Sequence, residues 1–581
     1  MNARPFHRLA IVAVTALWAG SALAQDTAIL SASPRFHPVV AQNGMVSSQE
    51  ALATLVGVDV LRSGGNAVDA AVAVGFALAV TLPRAGNIGG GGFMIVHDAK
   101  TDETIAIDYR EMAPAAATED MFLNEAGDAD PLKSRFSGLG VGVPGTVRGL
   151  ALAHERYGSG ALSWADLIAP AVTLARDGFP VSDDLASSLA STWTRAHLGR
   201  DGEANRIFYE PTDGPPAAGA IMTRPDLAAT LERIAEGGPS AFYEGPVAEA
   251  IVAKVNGAGG RMSLEDLAGY EPKVREPVTG TYQGYEIASM PPPSSGGIHL
   301  IQILNILEGL PIAESGLNSA KTIHLMAQAM NYAYADRSKY LGDPDFTSVP
   351  ADWLTSPDYA ADIRNGLDQE QATPASEIKP GEAPAGHESP ETTHFSVVDG
   401  DGNAVSNTYT LNFSYGVGLV ADGTGILLNN ELDDFSAKKG VPNAYGLIGG
   451  EANAVEPLKR PLSSMTPTIV FRDGEVFLVT GSPGGSRIIT TVLQIILNTV
   501  THGLDIASAT AAPRIHDQWL PDEIRIEQGI SPDTIRLLEE MGHEVAVKDA
   551  MGSTQSIQVG EDGTLYGAAD PRRAGSLAAG Y

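Results

Sequence analysis

Thr392-Thr393-His394-Phe395-Ser396-Val397-Val398-Asp399 decides how this chain is read. The run of β-branched and aromatic residues predicts a β-strand. It begins abruptly behind a polar stretch, 371–391, where Pro374, Pro380, Pro384 and Pro390 occur among Gly, Ala and Glu. That composition predicts a flexible, solvated connector. A threonine opening a strand behind such a leader is placed to become a new N-terminus. It would then carry a hydroxyl and a free α-amine on one residue, a nucleophile together with its own base. An ordinary strand after an ordinary loop fits these residues equally well.

The strand has a predicted partner. Asp399-Gly400-Asp401-Gly402-Asn403 is a turn cluster, and 404–410 is a second β run. Centring the turn on Asp401 pairs Val398 with Ala404 and Thr392 with Thr410. Directly opposed side chains stand about 5 Å apart, so a second hydroxyl is expected beside Thr392. A slip of one residue would send it to the other face.

Working outward, Ser47 and Glu50 have capping-box spacing and predict a helix ending at Gly64-Gly65. Asn66 then caps a second helix, 67–81. The apolar stretch 67–82 is interrupted early by Asp69 and is rich in small residues, so it reads as a buried core helix. Strands are expected at 93–97 and 104–109, the second delivering Arg110. Mainly helical regions follow at 146–267 and 300–340. After the leader come strands at 392–398, 404–410, 425–428, 468–471 and 476–480, and helices near 486–500 and 532–541. Helices mixed with hairpins imply α/β layers with antiparallel strands.

The chain has 581 residues, 44% of them hydrophobic, enough for a sizeable core. A formal charge of -32 disfavours nucleic acid and anionic membranes as partners. With no Cys, thiolate nucleophiles, disulfides and Cys metal sites are excluded. Arg4, His7 and Arg8 precede an apolar run, 9–18, and Ser21-Ala22-Leu23-Ala24 ends in a cleavage-site pattern before Gln25. The run is short against the roughly 20 residues of a membrane span. Residues 1–24 therefore read as a cleaved signal, with a periplasmic or secreted mature chain and no membrane contact after signal removal.

Other motifs point elsewhere or nowhere. Gly484-Gly485 follows a strand ending at Thr480 and opens a helix from Ser486. Backbone N–H groups there can approach a ligand closely, and a helix N-terminus favours negative charge. Gly140-Val141-Gly142-Val143-Pro144-Gly145 fits GxGxxG, but no convincing strand precedes it, so dinucleotide binding is set aside. No HExxH and no GxSxG occur, and the twelve His are scattered, so neither a catalytic zinc nor a nucleophile elbow is expected. No cofactor and no metal are expected. His394 reads as a packed strand residue.

Several long motifs in order resemble γ-glutamyltranspeptidases. The octet resembles the N-terminus of their small subunit. The likeness extends through Asn429-Asn430-Glu431-Leu432-Asp433-Asp434-Phe435-Ser436, Lys459-Arg460-Pro461-Leu462-Ser463-Ser464-Met465 and Gly481-Ser482-Pro483-Gly484-Gly485-Ser486-Arg487, with Asp108-Tyr109-Arg110-Glu111-Met112-Ala113-Pro114 upstream. The resemblance implies an N-terminal nucleophile hydrolase with a four-layer αββα sandwich. It implies a precursor that cuts itself between Glu391 and Thr392, giving a large subunit, 25–391, and a small one, 392–581. Thr392 would attack a γ-glutamyl amide, with Thr410 as partner hydroxyl and Gly484-Gly485 as oxyanion hole. The acyl-enzyme would pass to water or to an acceptor amino acid or peptide, with glutathione among the donors.

Arg110 alone would pass for a surface ion pair, Ser463-Ser464 for a turn, and Glu431 and Asp434 for solvated acids. By resemblance, Arg110 with Ser463 and Ser464 would hold the donor's α-carboxylate, and Asn412, Glu431 and Asp434 its α-ammonium. Some family members carry Gln at Glu431. The stretch 438–453 resembles a loop that lids the glutamyl pocket, with Tyr445 as its gate. Two alternatives stand beside this. One is a glutaryl-type cephalosporin acylase of the same fold, which has no α-ammonium to bind. The other is a periplasmic binding protein for γ-glutamyl peptides.

Overall fold

The computed structural model describes residues 36–380, 391–438 and 451–581, apart from the side chain of Glu391. The expected signal, the leader residues 381–390 and the expected lid residues 439–450 with Tyr445 lie outside the described residues.

Two seven-stranded sheets form the middle of the molecule. The first has the order Leu577–Gly580, Gly44–Ser48, Glu391–Asp399, Ala404–Asn412, Gly91–Asp98, Glu103–Tyr109 and Lys273–Arg275, antiparallel throughout. The second runs Val39–Ala41, Leu565–Ala569, Gln555–Val559, Glu475–Thr480, Thr468–Arg472, Tyr285–Ser289 and Val278–Tyr282, also antiparallel. The two-residue period of a strand sorts side chains to opposite faces. Met94, Val96, Phe395 and Val397 join a core with helices Ala51–Arg62 and Ala67–Thr81. Phe93, Ile95 and Val398 join another with the second sheet and helices Gly296–Leu307, Ala320–Tyr340 and Arg487–Ile496. This is the expected αββα sandwich. Each fully buried large apolar side chain stabilises it by about 1.5–3 kcal/mol.

Polar contacts set the sheets against each other: Ser396 Oγ donates to the Gln555 carbonyl (2.8 Å) and Ser406 Oγ to that of Thr480 (2.9 Å). Strands from before and after 392 are interleaved in the first sheet. Strands Gly44–Ser48 and Gly91–Asp98 flank the hairpin from Glu391 to Asn412. A cut at 391–392 would therefore leave both pieces in one shared sheet.

The expected elements are largely present. Helix Ala67–Thr81 is buried at every position and carries the Asn66–Asp69 capping box. Helix Arg487–Ile496 continues into a wider turn, Leu497–Thr501, and helix Pro532–Glu540 is present. The capping box expected at Ser47 is not formed. Ser47 lies in strand Gly44–Ser48, and Glu50 itself caps the helix through Ala53 N (3.1 Å). Any strong acceptor one residue before the helix can satisfy its free N–H groups.

The hairpin register expected from the turn holds from Val398↔Ala404 to Thr393↔Tyr409. It then shifts, and Glu391 pairs with Asn412, so a bulge sets Thr392 against both Thr410 and Leu411. The direct Thr392–Thr410 pairing is thus corrected. A bulge re-aims a side chain at the end of a ladder, which a register count from the turn does not foresee.

Candidate active site

Three separate stretches of sequence meet at Arg110. Asp108, at the end of strand Glu103–Tyr109, accepts from Arg110 N (3.0 Å), Arg275 Nε (2.8 Å) and Arg460 Nη1 (2.5 Å). The last contact draws in the segment Lys459 to Ser464. Arg110 completes the join, donating from Nε to the Pro461 carbonyl (3.2 Å) and from Nη2 to that of Leu462 (3.1 Å). The segment is fixed from its far side as well. Ser463 N donates to the Pro293 carbonyl (2.8 Å), and the Ser463 carbonyl accepts from Ser295 N (2.6 Å).

The third stretch is the single turn Glu431–Asp434. Asn429 positions it, accepting from Gly142 N (2.9 Å) and Glu431 N (3.0 Å). Asp433 turns away to Ser134 Oγ (2.5 Å) and Arg135 Nε (3.2 Å). Glu431 and Asp434 turn inward, where Glu431 Oε1 pairs with Arg110 Nη1 and Asp434 Oδ2 with Nη2 (2.5 Å). Arg110, Glu431 and Asp434 are 1–2% exposed, so this ion cluster is dry.

A cavity of about 10 Å³ opens beside it, room for about one water. Its walls are Arg110, Thr392, Thr410, Asn412, Glu431, Asp434, Ser463, Ser464, Met465 and Ile488. Eight of these ten are residues singled out from the sequence. Asn412 stands in the left-handed region (φ 73°) at the end of its strand. Its Nδ2 donates to the Asn430 carbonyl (2.8 Å) and its N–H to Thr410 Oγ1 (2.8 Å). Asn412 Oδ1, Glu431 Oε2 and Ser464 Oγ are buried without a hydrogen-bond partner. Buried polar groups are ordinarily satisfied, so these atoms mark where a polar ligand would be received. Gly484 (φ 137°) and Gly485 (φ 63°) precede helix Arg487–Ile496 but do not line the cavity; Ile488, one turn on, does.

The charges are strongly coupled. Burial works against the charge on Arg110, but Glu431, Asp434 and Glu111 outweigh it and raise its pKa. Burial drives Glu431 well above the ordinary carboxylate range despite Arg110, and Glu111 adds to the rise. His394 faces the second sheet, its Nδ1 within 2.8 Å of Thr408 Oγ1 and its Nε2 within 3.1 Å of Ser396 Oγ. Burial pushes it down to about 3, so it is a neutral packing residue, as expected. Among the described residues no group of three or more His, Asp or Glu is placed to hold a metal ion.

The model of the Gamma-glutamyltranspeptidase family matches residues 53–580. The chain belongs to the γ-glutamyltranspeptidase family. It is 57% identical over 546 residues to the glutathione hydrolase proenzyme of Escherichia coli (strain K12), covering 94% of this chain and 93% of that protein. It is 43% identical to the proenzyme of the same name from Pseudomonas aeruginosa, covering 95% and 97%. Among solved structures it resembles the cephalosporin acylase of Bacillus halodurans, with a TM-score of 0.83, 28% identity, and coverage of 95% and 98%. It also resembles the γ-glutamyltranspeptidase of Helicobacter pylori, with a TM-score of 0.55, 45% identity, and coverage of 57% of this chain and 93% of that one.

Sequence reasoning passed over three features of this candidate site. Glu111 is fully buried beside Arg110, with Oε2 3.9 Å from Nη1. Its sequence signal was adjacency to Arg110, just past strand Glu103–Tyr109. The loop through Pro293, Ser294 and Ser295 supports Ser463 and carries no chemical signature of its own. Met465 and Ile488 supply the apolar walls.

Proposed function

We propose that this chain is a self-processing γ-glutamyl hydrolase and transferase, made as a precursor and cut between Glu391 and Thr392. The observation that carries the proposal is the convergence of Thr392, one arginine, two acids, an amide and two serines on one small cavity. In the cut, Thr392 Oγ1 attacks the Glu391 carbonyl and the hydroxyl proton passes to the departing nitrogen. Water then hydrolyses the ester, leaving the Glu391 carboxylate and a free Thr392 α-amine.

That amine has a reference pKa of about 7.7–8.0 and can take the hydroxyl proton at working pH. Thr392 Oγ1 attacks the donor's γ-carbonyl, and the leaving amine departs with a proton. The acyl ester is resolved by water to glutamate, or by an acceptor amine to a new γ-glutamyl amide. Thr410 would orient Oγ1, as its own hydroxyl is anchored by Asn412 N. The N–H groups of Gly484 and Gly485 would receive the oxyanion. The guanidinium of Arg110 suits a carboxylate bidentately, and Ser463 and Ser464 add donors. Asn412, Glu431 and Asp434 offer acceptors for an ammonium. The present cavity admits about one water, so the site must widen to take a γ-glutamyl group. A signal at 1–24, export to the periplasm or medium, and gating by Tyr445 are parts of the same proposal.

The likeness in fold to a cephalosporin acylase raises a second reading, removal of a glutaryl group. A glutaryl group brings no ammonium, and the buried acceptor Asn412 Oδ1 would then stay unsatisfied. Two experiments decide. Denaturing electrophoresis and mass spectrometry of the wild type should give two fragments, one beginning at Thr392, and Thr392→Ala should give one intact chain. The processed enzyme should turn over a γ-glutamyl anilide well and a glutaryl anilide poorly. A fully active, unbroken chain overturns the proposal, as does preference for the glutaryl substrate.

A further inference from the structure

Around Arg110 the count of charges does not balance. Three fully buried carboxylates, Glu111, Glu431 and Asp434, surround one guanidinium. Among the described residues, the other nearby cations are committed elsewhere: Arg275 and Arg460 to Asp108, Arg135 to Asp433, and Lys459 to Glu456. Tyr109, Tyr243 and Tyr270 lie within electrostatic range of Glu111. Their hydroxyls donate to Asn407 Oδ1 (2.5 Å), the Pro144 carbonyl (3.0 Å) and the Arg110 carbonyl (2.8 Å). The backbone of Gly91 closes over it, where an added Cβ would lie 2.7 Å from Oε2.

Glu111 and Glu431 both approach Nη1 of Arg110, Glu431 in direct contact and Glu111 at 3.9 Å. Counted as two ionised carboxylates, they leave both oxygens of Glu111 and Oε2 of Glu431 buried and unpartnered. Two like charges in a dry site cannot both be sustained, and one proton held between them removes the conflict. It also turns two orphan acceptors into an O–H···O hydrogen bond.

We propose that Glu111 and Glu431 share one proton beside Arg110, and that this singly charged pair faces the α-ammonium of the donor. The inference rests on the γ-glutamyl reading above. Glu111 is thereby a positioning residue, acting through Glu431. Burial supports this, pushing Glu111 up to about 7 against the pull of Arg110, and Glu431 well above the ordinary carboxylate range. When the proton is lost to solvent at alkaline pH, the second charge competes with the donor's carboxylate for Arg110. The donor KM then rises.

An amide can replace the shared proton on either partner, since its N–H donates to the remaining carboxylate and the pair keeps one charge. Glu111→Gln and Glu431→Gln are therefore each expected to raise donor KM by about 3-fold at neutral pH. Each should also flatten the alkaline rise in KM that the wild type shows. The double variant removes the last charge and should raise KM more than about 30-fold, beyond the product of the two singles. The measurement is KM and kcat for a γ-glutamyl anilide from about pH 6 to about pH 9, on processed enzyme. Multiplicative singles overturn the inference, as does an alkaline rise that persists in both. If the double variant does not fold, the pH profile of either single decides. Wild type without γ-glutamyl turnover would instead defeat the functional reading itself.

Discussion

Gly481→Ala tests how the loop leading to Gly484 and Gly485 is seated. Gly481 follows strand Glu475–Thr480 and lies on the ring of His394, two residues beyond the candidate nucleophile. An added Cβ would stand 2.4 Å from His394 Cε1 and 2.5 Å from Nδ1, well inside contact distance. The ring cannot easily yield, because Thr408 and Ser396 hold both of its nitrogens. The loop must move instead. Overpacking of this kind costs about 1–3 kcal/mol, and displacing catalytic groups by about 1 Å can cost about 10²-fold in rate. We expect a lower Tm, slower self-cleavage and a fall in kcat of tens-fold with a smaller change in KM. Adding His394→Ala removes the obstacle, so the double variant should be more stable than the two single losses sum to, by about 0.5–3 kcal/mol of coupling. Thermal unfolding and steady-state kinetics on the four proteins give the cycle. Wild-type Tm and kcat in Gly481→Ala would refute the reasoning, and so would strictly additive losses.

Two further outcomes follow from the buried charges. Arg110→Ala leaves Glu431 and Asp434 without their cation and should destabilise the fold by about 3–5 kcal/mol. Without Arg110 the folded-state pKa of Glu431 rises further above the unfolded value, so the penalty shrinks as pH falls and is largest at alkaline pH; urea unfolding at two pH values checks this, and an equal penalty at both would contradict it. His516 is buried between Thr490 Oγ1 (2.9 Å) and Gln518 Oε1 (2.9 Å), and burial lowers it to about 3. Above about pH 6.5 it is neutral in both folded and unfolded chains; below that the unfolded chain alone takes the proton, so the wild type loses up to about 1.4 kcal/mol per pH unit relative to His516→Gln, down to the folded value. Thermal unfolding of the pair across this range should show their gap closing or reversing on acidification, and a constant gap would count against a neutral His516.

The sequence by itself determined what depends on local chemistry. The β-branched and aromatic run of the octet and the second β run, 404–410, dictated strands, the Asp-Gly turn dictated a hairpin, and Asn66 dictated where a helix starts. Long motifs in order were enough to name the family and eight of the ten residues that line the cavity. Tertiary structure alone decided the bulge that turns Thr392 from its expected partner, because a bulge answers to the neighbouring strand, not to the turn. It alone paired Arg110 with Glu431 and Asp434, more than 300 residues away along the chain. It alone exposed the imbalance at Glu111. A residue's charge is written in the sequence, but the energy of that charge depends on burial and on which distant cations are already taken.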